Sequence, residues 1–555
     1  MSWTQIGQDI QGITDNDKYG LGTAISGDGT VVAFSAPYGD GGGSDSGEVT
    51  VYSLTNNVWV ALGSIISGDA GGESSAIKLN NDGTRLIVGE RKTPDNQTIT
   101  KGTAKIYEYS SGSWSQIGQD IVGEGGGDNG SHLGIDVSIN NAGDRIIVGA
   151  RYWDKLNSNH KNSNYGYIEV YDLVADGGNG GTGTWTLVGS RIEGPFRSQY
   201  GTSVDINSSG NIIIVGSPFG DINPLDDQNS INDNRNKSTE GTFYVYEYSE
   251  GSWSQLGSQI WGDPGDKFGF SVAINNSGDK IAVSAGNNNY WKSYEYNNGT
   301  DSWDQLGTTI TTTSSTLIKV DMNGTGDVVV VGDKDANSDR GEVKIYKYES
   351  GSWGIVGSAI SGQNAGDEFG SHVDISDQGD YISIGAPLNG DAGTNRGEGY
   401  IYYNSSLSDN SSDISISNVD NASASTTLKN EVVTELNSIA NVSISASDIS
   451  ASTTIISTKE NVDYEFTLTI TSVNLSDLSG AEQTSLINVL KSRYATALSI
   501  DSSRITITLR EGSVDALIEI GSAGGGGGGG SGNGKTTVKL NGRITIKGTG
   551  KVTVK

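Results

Sequence analysis

The residues best suited to chemistry in this chain lie in two stretches rich in aromatic, amide and acidic side chains. Arg151 to Gly166 (RYWDKLNSNHKNSNYG) carries Tyr152, Trp153, His160 and Tyr165. Pro218 to Glu240 (PFGDINPLDDQNSINDNRNKSTE) carries Phe219 and the carboxylates of Asp221, Asp226, Asp227 and Asp233. Ring faces beside amides, carboxylates and Lys suit a sugar or a protein surface, because rings cover apolar area while the polar groups fix orientation. A solvated loop whose rings pack down on their own scaffold accounts for the same residues, and so does loose cation binding. Catalysis finds less support. The chain has 3 His and no Cys, which removes disulfides, thiolate metal sites and a Cys nucleophile. No G-x-S-x-G, H-E-x-x-H or P-loop is present. A carboxylate pair of the glycosidase kind stays open because acids are abundant, yet no pair stands out. No catalytic residue, metal ligand set or cofactor is assigned.

A second chemical pattern closes the chain. Lys535, Lys539, Arg543, Lys547, Lys551 and Lys555 alternate with Val538, Leu540, Ile544, Ile546, Val552 and Val554. As strands these residues give one oily and one positive face. The oily faces of neighbouring strands coincide with three-residue turns at Asn541–Arg543 and Gly548–Gly550. Three short strands are marginal alone, so this end reads as an attachment or oligomerisation tail that pairs with another chain or docks on a larger body. The chain as a whole has a net charge of −30. Such a surface repels nucleic acid and anionic lipid, and no apolar run is long enough to span a bilayer. Neither nucleic-acid binding nor membrane insertion is expected.

The elements that must position these residues are announced by a repeated phrase: a Trp, two residues, an aliphatic residue and a Gly. It begins at Trp3, Trp59, Trp114, Trp185, Trp253, Trp303 and Trp353. A spacing of roughly 50–70 residues marks a propeller or a solenoid. Between phrases the order is constant. In the first unit YGLGTAIS (19–26) predicts a strand, GDG a turn, TVVAFSAP (30–37) a buried strand, GEVTVYSL (47–54) a third strand and the Trp59 phrase a fourth. Four strands per unit match a propeller blade. The seventh unit ends near Tyr403 without its fourth strand, and the phrase at 3–12 has no unit before it. The N-terminal strand is therefore expected to complete the last blade and close a seven-bladed ring, which removes an open edge. The Trp residues read as wedges between blades, with the following Gly allowing close backbone approach.

The units resemble FG-GAP repeats, the blades of integrin α-chain propellers. The residues carrying the likeness are Phe268-Gly269 and Phe369-Gly370, the variants Tyr19-Gly20 and Tyr200-Gly201, then Gly385-Ala386-Pro387 with the near-copies Ser35-Ala36-Pro37 and Gly216-Ser217-Pro218. Many blades of that family carry a calcium loop of the D-x-D-x-D-G-x-x-D kind between the first two strands. Here the matching turns, such as NNDGT (80–84) and NNSGD (275–279), lack the row of carboxylates a tight calcium site needs, and they read as Asn/Asp/Gly hairpin turns. A weaker calcium site in the long loops stays open. Those loops join the second and third strands. They vary most in length and share one face of the disc, which makes that face the candidate recognition surface.

The remainder divides as follows. Residues 1–404 form the propeller and 405–412 a Ser/Asn-rich linker. Residues 413–521 carry strands at 413–420, 447–457, 462–473, 503–509 and 514–520, with helical spacing at 425–440 and 478–498, and resemble a ferredoxin-like or SEA-type α+β domain. A Gly-rich linker spans 522–534 and the basic tail 535–555. The fold class is thus mainly β. The start MSWTQIGQDI lacks the basic and apolar regions of a signal peptide, so display outside a cell implies another route, such as release within a virus particle. The expected function is a surface-displayed recognition or adhesion protein, on a virion or in the extracellular space: a fibre or spike component whose loops bind a glycan or protein receptor. A secreted adhesin, a structural capsid or sheath subunit, and a glycan-acting hydrolase or lyase are the alternatives.

Overall fold

The computed structural model describes residues 2–91, 101–125, 130–155, 164–174, 183–221, 239–314 and 317–407, together with six strands between 449 and 554. The chain divides into two compact units, Met1–Ser408 and Asp409–Lys555.

The first unit is a seven-bladed β-propeller of antiparallel sheets. Blade 1 shows the plan: Gly22–Ile25, Val31–Ala36, Glu48–Thr55 and Val58–Ala61, paired in that order. The second strands are apolar in their middle because blades cover both of their faces there. Ile146, Ile147 and Val148 of blade 3, for instance, are fully buried. In every blade one side chain ties the turn between the first two strands. Asn80, Asn140, Asn207, Asn275 and Asn323 accept the N–H of Arg85, Arg145, Ile212, Lys280 and Val328 on Oδ1 at 2.8–2.9 Å. Ser26 and Ser376 do the same for Val31 and Tyr381 with Oγ at 3.0 Å. The amide and hydroxyl groups of these turns are thus engaged in closing the turn itself.

The Trp phrase locks each blade to its neighbour. The indole N–H of Trp59, Trp114, Trp185, Trp253, Trp303 and Trp353 donates to the carbonyl of Ile6, Leu62, Ile117, Val188, Leu256 and Leu306, the aliphatic residue of the preceding phrase, at 2.8–3.0 Å. Trp3 closes the series on Val356 at 3.1 Å. The phrase Gly lies under the neighbour's indole. A Cβ on Gly118 would stand 2.5 Å from Cδ1 of Trp185. That approach, with φ of +69°, explains why only Gly serves there.

Ring closure follows the predicted scheme. Thr4–Gln5 and Ile10–Gln11 pair with Glu398–Tyr403, the third strand of blade 7, with Thr4 opposite Tyr403 and Ile10 opposite Gly399. Arg396 adds an ion pair to Asp15 at 2.8 Å.

In the second unit the described strands form one six-stranded antiparallel sheet. Its order is Ile449–Thr458, Asn461–Thr471, Lys551–Val554, Gly542–Lys547, Ser513–Ile518, Ile505–Arg510. The two tail strands thus lie in the middle of a sheet of their own chain. Ile544 stands opposite Val554 and Lys547 opposite Lys551. The strand at 413–420 and the helices at 425–440 and 478–498, on which the ferredoxin-like expectation rests, lie outside the described residues. Among the described residues no helix is long and apolar enough to cross a membrane.

Candidate functional site

The face carrying the loops between second and third strands holds one recurring position, the second residue after the second strand. In blades 1, 3 and 4 it is aromatic: Tyr38, Tyr152 and Phe219, all half-buried. Their backbone N–H groups donate to Asp17, Ser131 and Ser198, which lie just before the first strands. Each ring is backed by a cation: Lys18 at 5.1 Å from Tyr38, Arg151 at 4.5 Å from Tyr152 and Lys267 at 5.0 Å from Phe219. These are cation–π contacts that fix the rings while leaving part of each free.

The sequence candidates divide accordingly. Tyr152 and Phe219 share the recurring position. Trp153 is in the core rather than on the loop surface: it is 5% exposed and its ring meets that of Tyr167 edge-on at 5.5 Å. Tyr165 is half-buried against Phe196 at 5.5 Å. Asp221 is partly exposed at the last described residue of its loop. His160, Asp226, Asp227 and Asp233 lie outside the described residues, as do Lys535, Lys539 and Lys555, while Arg543, Lys547 and Lys551 sit in the tail strands.

Two features were not singled out by sequence. The first is an open groove of about 390 Å³ lined by Thr14, Asp15, Asn16, Asp17, Lys18, Tyr38, Asp40, Ser44 and Asp45. It forms where the ring-closing segment meets the blade 1 loop. Asp40 is partly engaged in shaping that loop, since its Oδ1 accepts the N–H of Asp45 at 2.9 Å. Burial, the largest influence, raises the Asp17 carboxyl above its ordinary value. The available signal was two short acidic runs, TDND (14–17) before the first strand of blade 1 and GDGGGSDSG (39–47) after its second, brought together by the folding of that blade.

The second feature is the central channel. Its lining comes from the first strands, at the position five residues before the turn Gly: Lys78, Ser138, Asp205, Asp321 and Asp374. These charges have structural work. The inner edge of each first strand has no strand to pair with, so its N–H groups need acceptors. Asp374 takes the N–H of Ile25 at 2.8 Å, Asp205 that of Ile274 at 2.9 Å and Asp321 that of Ile375 at 3.2 Å, each in the next blade. Lys78 sits among them, 2.6 Å from Asp374 and 3.3 Å from Asp321. Burial works against the Lys78 charge, but Asp321 and Asp374 outweigh it and hold its pKa well above the ordinary lysine value. Burial raises Asp374 well above the carboxylate range. It also raises Asp321, but Lys78 together with hydrogen bonds from Asp374 and from the N–H groups of Met322 and Ile375 outweighs it and leaves the carboxyl lowered. Asp205 is pushed up by burial to about 6. At the turn end, backbone N–H to carbonyl bonds run from Asn141 to Ser208, Asn276, Gly324, Asp377, Gly27 and Asn81 in turn, and ring the channel. Charged residues at one register of otherwise apolar strands (IKLN, VDIN, KVDM, HVDI) were the sequence signal for this lining.

Comparison with known proteins gives three findings. No curated protein matches the chain. Among solved structures, a putative 6-phosphogluconolactonase from Bacteroides fragilis and the periplasmic gluconolactonase of Pseudomonas aeruginosa are each 12% identical with a TM-score of 0.43, covering 62% of this chain and 85% of theirs. The FG-GAP repeat family model matches residues 359–402, the stretch that runs through the three chain-contiguous strands of blade 7, so the likeness to that family lies in the blade completed by the N-terminal strand.

Proposed function

We propose that the propeller is a recognition head that binds a glycan or protein receptor on the face of its long loops, with the groove at blade 1 as a principal contact. The groove carries the reading. Its volume of about 390 Å³ falls within the range of small-ligand sites, roughly 300–1,000 Å³. It offers one cation-backed ring, Tyr38, beside carboxylate, amide and hydroxyl groups, the combination that grips a sugar by one apolar face and several hydroxyls. Tyr152 and Phe219 extend the same chemistry to other blades of the same face. The same proposal places the protein at a virion surface or in the extracellular space, where an acidic, Cys-free disc suits saline surroundings. Assembly through the tail belongs to it too and would act through the sheet of the second unit.

The test is a glycan array and receptor-binding screen on the full chain, repeated with Tyr38→Ala and Asp45→Asn. Binding should weaken about tenfold or more in each variant, the loss expected for one ring or one good polar contact, and the bound glycan should be recovered intact. Cleavage of a bound polysaccharide, or binding that ignores both substitutions, would overturn the reading.

A further inference from the structure

Asn followed by Gly is chemically labile where the Asn side chain and the next backbone nitrogen are both free to move. The Gly has no Cβ to hinder the approach of its nitrogen to the amide carbon before it. Three such pairs lie wholly among the described residues, Asn298-Gly299, Asn323-Gly324 and Asn389-Gly390, and the fold treats them differently.

Two are held. Asn323 is 2% exposed. Its Oδ1 accepts the N–H groups of Asp327 and Val328 at 3.0 and 2.9 Å, and its Nδ2 donates to Thr325 and Asp327 at 3.0 and 3.1 Å. The N–H of Gly324 donates to the Asp377 carbonyl at 3.0 Å, in the ring around the channel. Asn389 is 1% exposed. Its Oδ1 accepts the N–H of Asp391 at 2.9 Å and its Nδ2 donates to the Tyr400 hydroxyl at 3.2 Å. Moving either amide breaks hydrogen bonds made by buried groups, which is costly.

Asn298 is different. It is exposed, in the turn between Tyr290–Asn297 and Ser302–Gln305, and its side chain has no hydrogen-bond partner among the described residues. A Cβ on Gly299 would meet only Asn297 Oδ1, at 3.4 Å, so the space around the Gly299 nitrogen is open. One bond restrains that nitrogen, from the Gly299 N–H to Asn297 Oδ1 at 3.1 Å, and it is exposed, where water replaces it at little cost.

We propose that Asn298 is a site of spontaneous modification, in which the backbone nitrogen of Gly299 attacks the Asn298 side-chain carbon. The nitrogen gives its proton to solvent base, its electron pair forms the bond to Cγ, and the Cγ–Nδ2 bond breaks to release ammonia, which takes up a proton. The resulting cyclic imide adds a water molecule. Opening at Cγ gives Asp; opening at the main-chain carbonyl gives isoaspartate, whose chain runs through the former side chain. Either product carries a carboxylate where the parent carries a neutral amide, and no oxidant or reductant takes part.

The same turn carries a tie between blades. Asp301 accepts the N–H of Gly257 in blade 4 at 2.9 Å and the hydroxyl of Tyr296 at 2.8 Å. Gly257 follows Leu256, whose carbonyl accepts the indole N–H of Trp303 at 3.0 Å. An isoaspartate inserts a methylene into the main chain of this turn and shifts Asp301 away from Gly257, so the seam between blades 4 and 5 loosens as the protein ages. The blade 1 groove shares no residue with this turn, so either proposal can fail without the other.

The full chain is incubated at mildly alkaline pH, both folded and in guanidinium, and its peptides are mapped by mass spectrometry, with isoaspartate methyltransferase labelling the iso form. In guanidinium the three pairs should convert at similar rates. In the folded chain Asn298 should convert about tenfold or more faster than Asn323 and Asn389, because only its amide moves without local opening. Gly299→Ala should slow conversion at Asn298 about tenfold or more, and Asn298→Gln should abolish it. Hydrogen exchange at the Gly257 amide should quicken with age in the parent and hold constant in Asn298→Gln. Conversion at Asn298 no faster than at the two held residues, or a rate indifferent to Gly299→Ala, would overturn the proposal. A Gly257 amide that keeps its protection after conversion would overturn the loosening of the seam.

Discussion

Two glycines six residues apart separate the effect of the indole lock from that of backbone conformation. Gly112 and Gly118 both have positive φ, +88° and +69°. Replacing either with Ala carries the cost of a left-handed L-residue, roughly 1–2 kcal/mol. Around Gly112, in the hairpin turn between Thr103–Ser110 and Ser113–Gln116, a Cβ meets nothing within 4 Å. At Gly118 it meets Cδ1 of Trp185 at 2.5 Å and Nε1 at 2.9 Å. Trp185 is 2% exposed, so the indole has nowhere to retreat without disturbing the core. Restoring ordinary contact needs a shift of about 1 Å, which stretches the 3.0 Å bond from Nε1 to the Ile117 carbonyl beyond useful range. A buried donor left unsatisfied costs about 1–3 kcal/mol, and forced repacking about 1–3 kcal/mol more. Gly118→Ala should therefore be less stable than Gly112→Ala by about 3 kcal/mol, roughly a hundredfold in the folding equilibrium. Guanidinium unfolding followed by Trp fluorescence measures both variants. Equal midpoints would show that the indole contact does not lock blade to blade.

Two further outcomes follow from the charges and the tail. Burial holds Asp205 at about 6, above the unfolded carboxylate value of about 4, so the folded chain binds that proton more tightly. Its stabilising effect is complete below pH about 4 and is lost as pH rises through about 6. Asp205→Asn, compared with the parent by denaturant midpoint at pH 4.5 and pH 7, should show a smaller loss between the two, and an unchanged difference would refute the assignment. Deleting 535–555 removes the two strands that lie between Asn461–Thr471 and Ser513–Ile518. It should abolish the unfolding transition of the second unit, leave the propeller transition in place and reduce any oligomer of the full chain to monomers in light scattering; persistent oligomers would place assembly elsewhere.

What was legible in the sequence was whatever repeats with a local physical cause. The Trp phrases, the Asn and Ser at the head of each hairpin turn and the missing fourth strand of the last unit are periodic facts, and the ring with its closure follows from counting them. The partner of each indole was not legible. Trp185 bonds a carbonyl in the preceding phrase, a relation set by how the blades pack. Trp153 was misjudged for the complementary reason. A ring in a long loop looks available, and only the position of Tyr167 on the next strand shows that it is buried. The blade 1 groove draws its acids from the segment before the first strand and from the loop after the second, so neither run announces the site alone.

The channel shows how one scaffold demand creates a charge problem that the sequence must then balance. Seven first strands converge with their inner edges unpaired, and the sequence answers with short polar side chains that reach the next blade: Ser203 to Val272 and Ser271 to Val320, both at 3.2 Å, alongside the aspartates. Each aspartate satisfies an N–H but brings a charge into a confined space, where attraction and repulsion are less screened than at the surface. Lys78 compensates part of it. Lys319 adds a second cation beside Asp136, whose Oδ2 accepts the N–H of Val204. The same strand edges that require carboxylates thus also require the two lysines, Lys78 and Lys319, that stand among them.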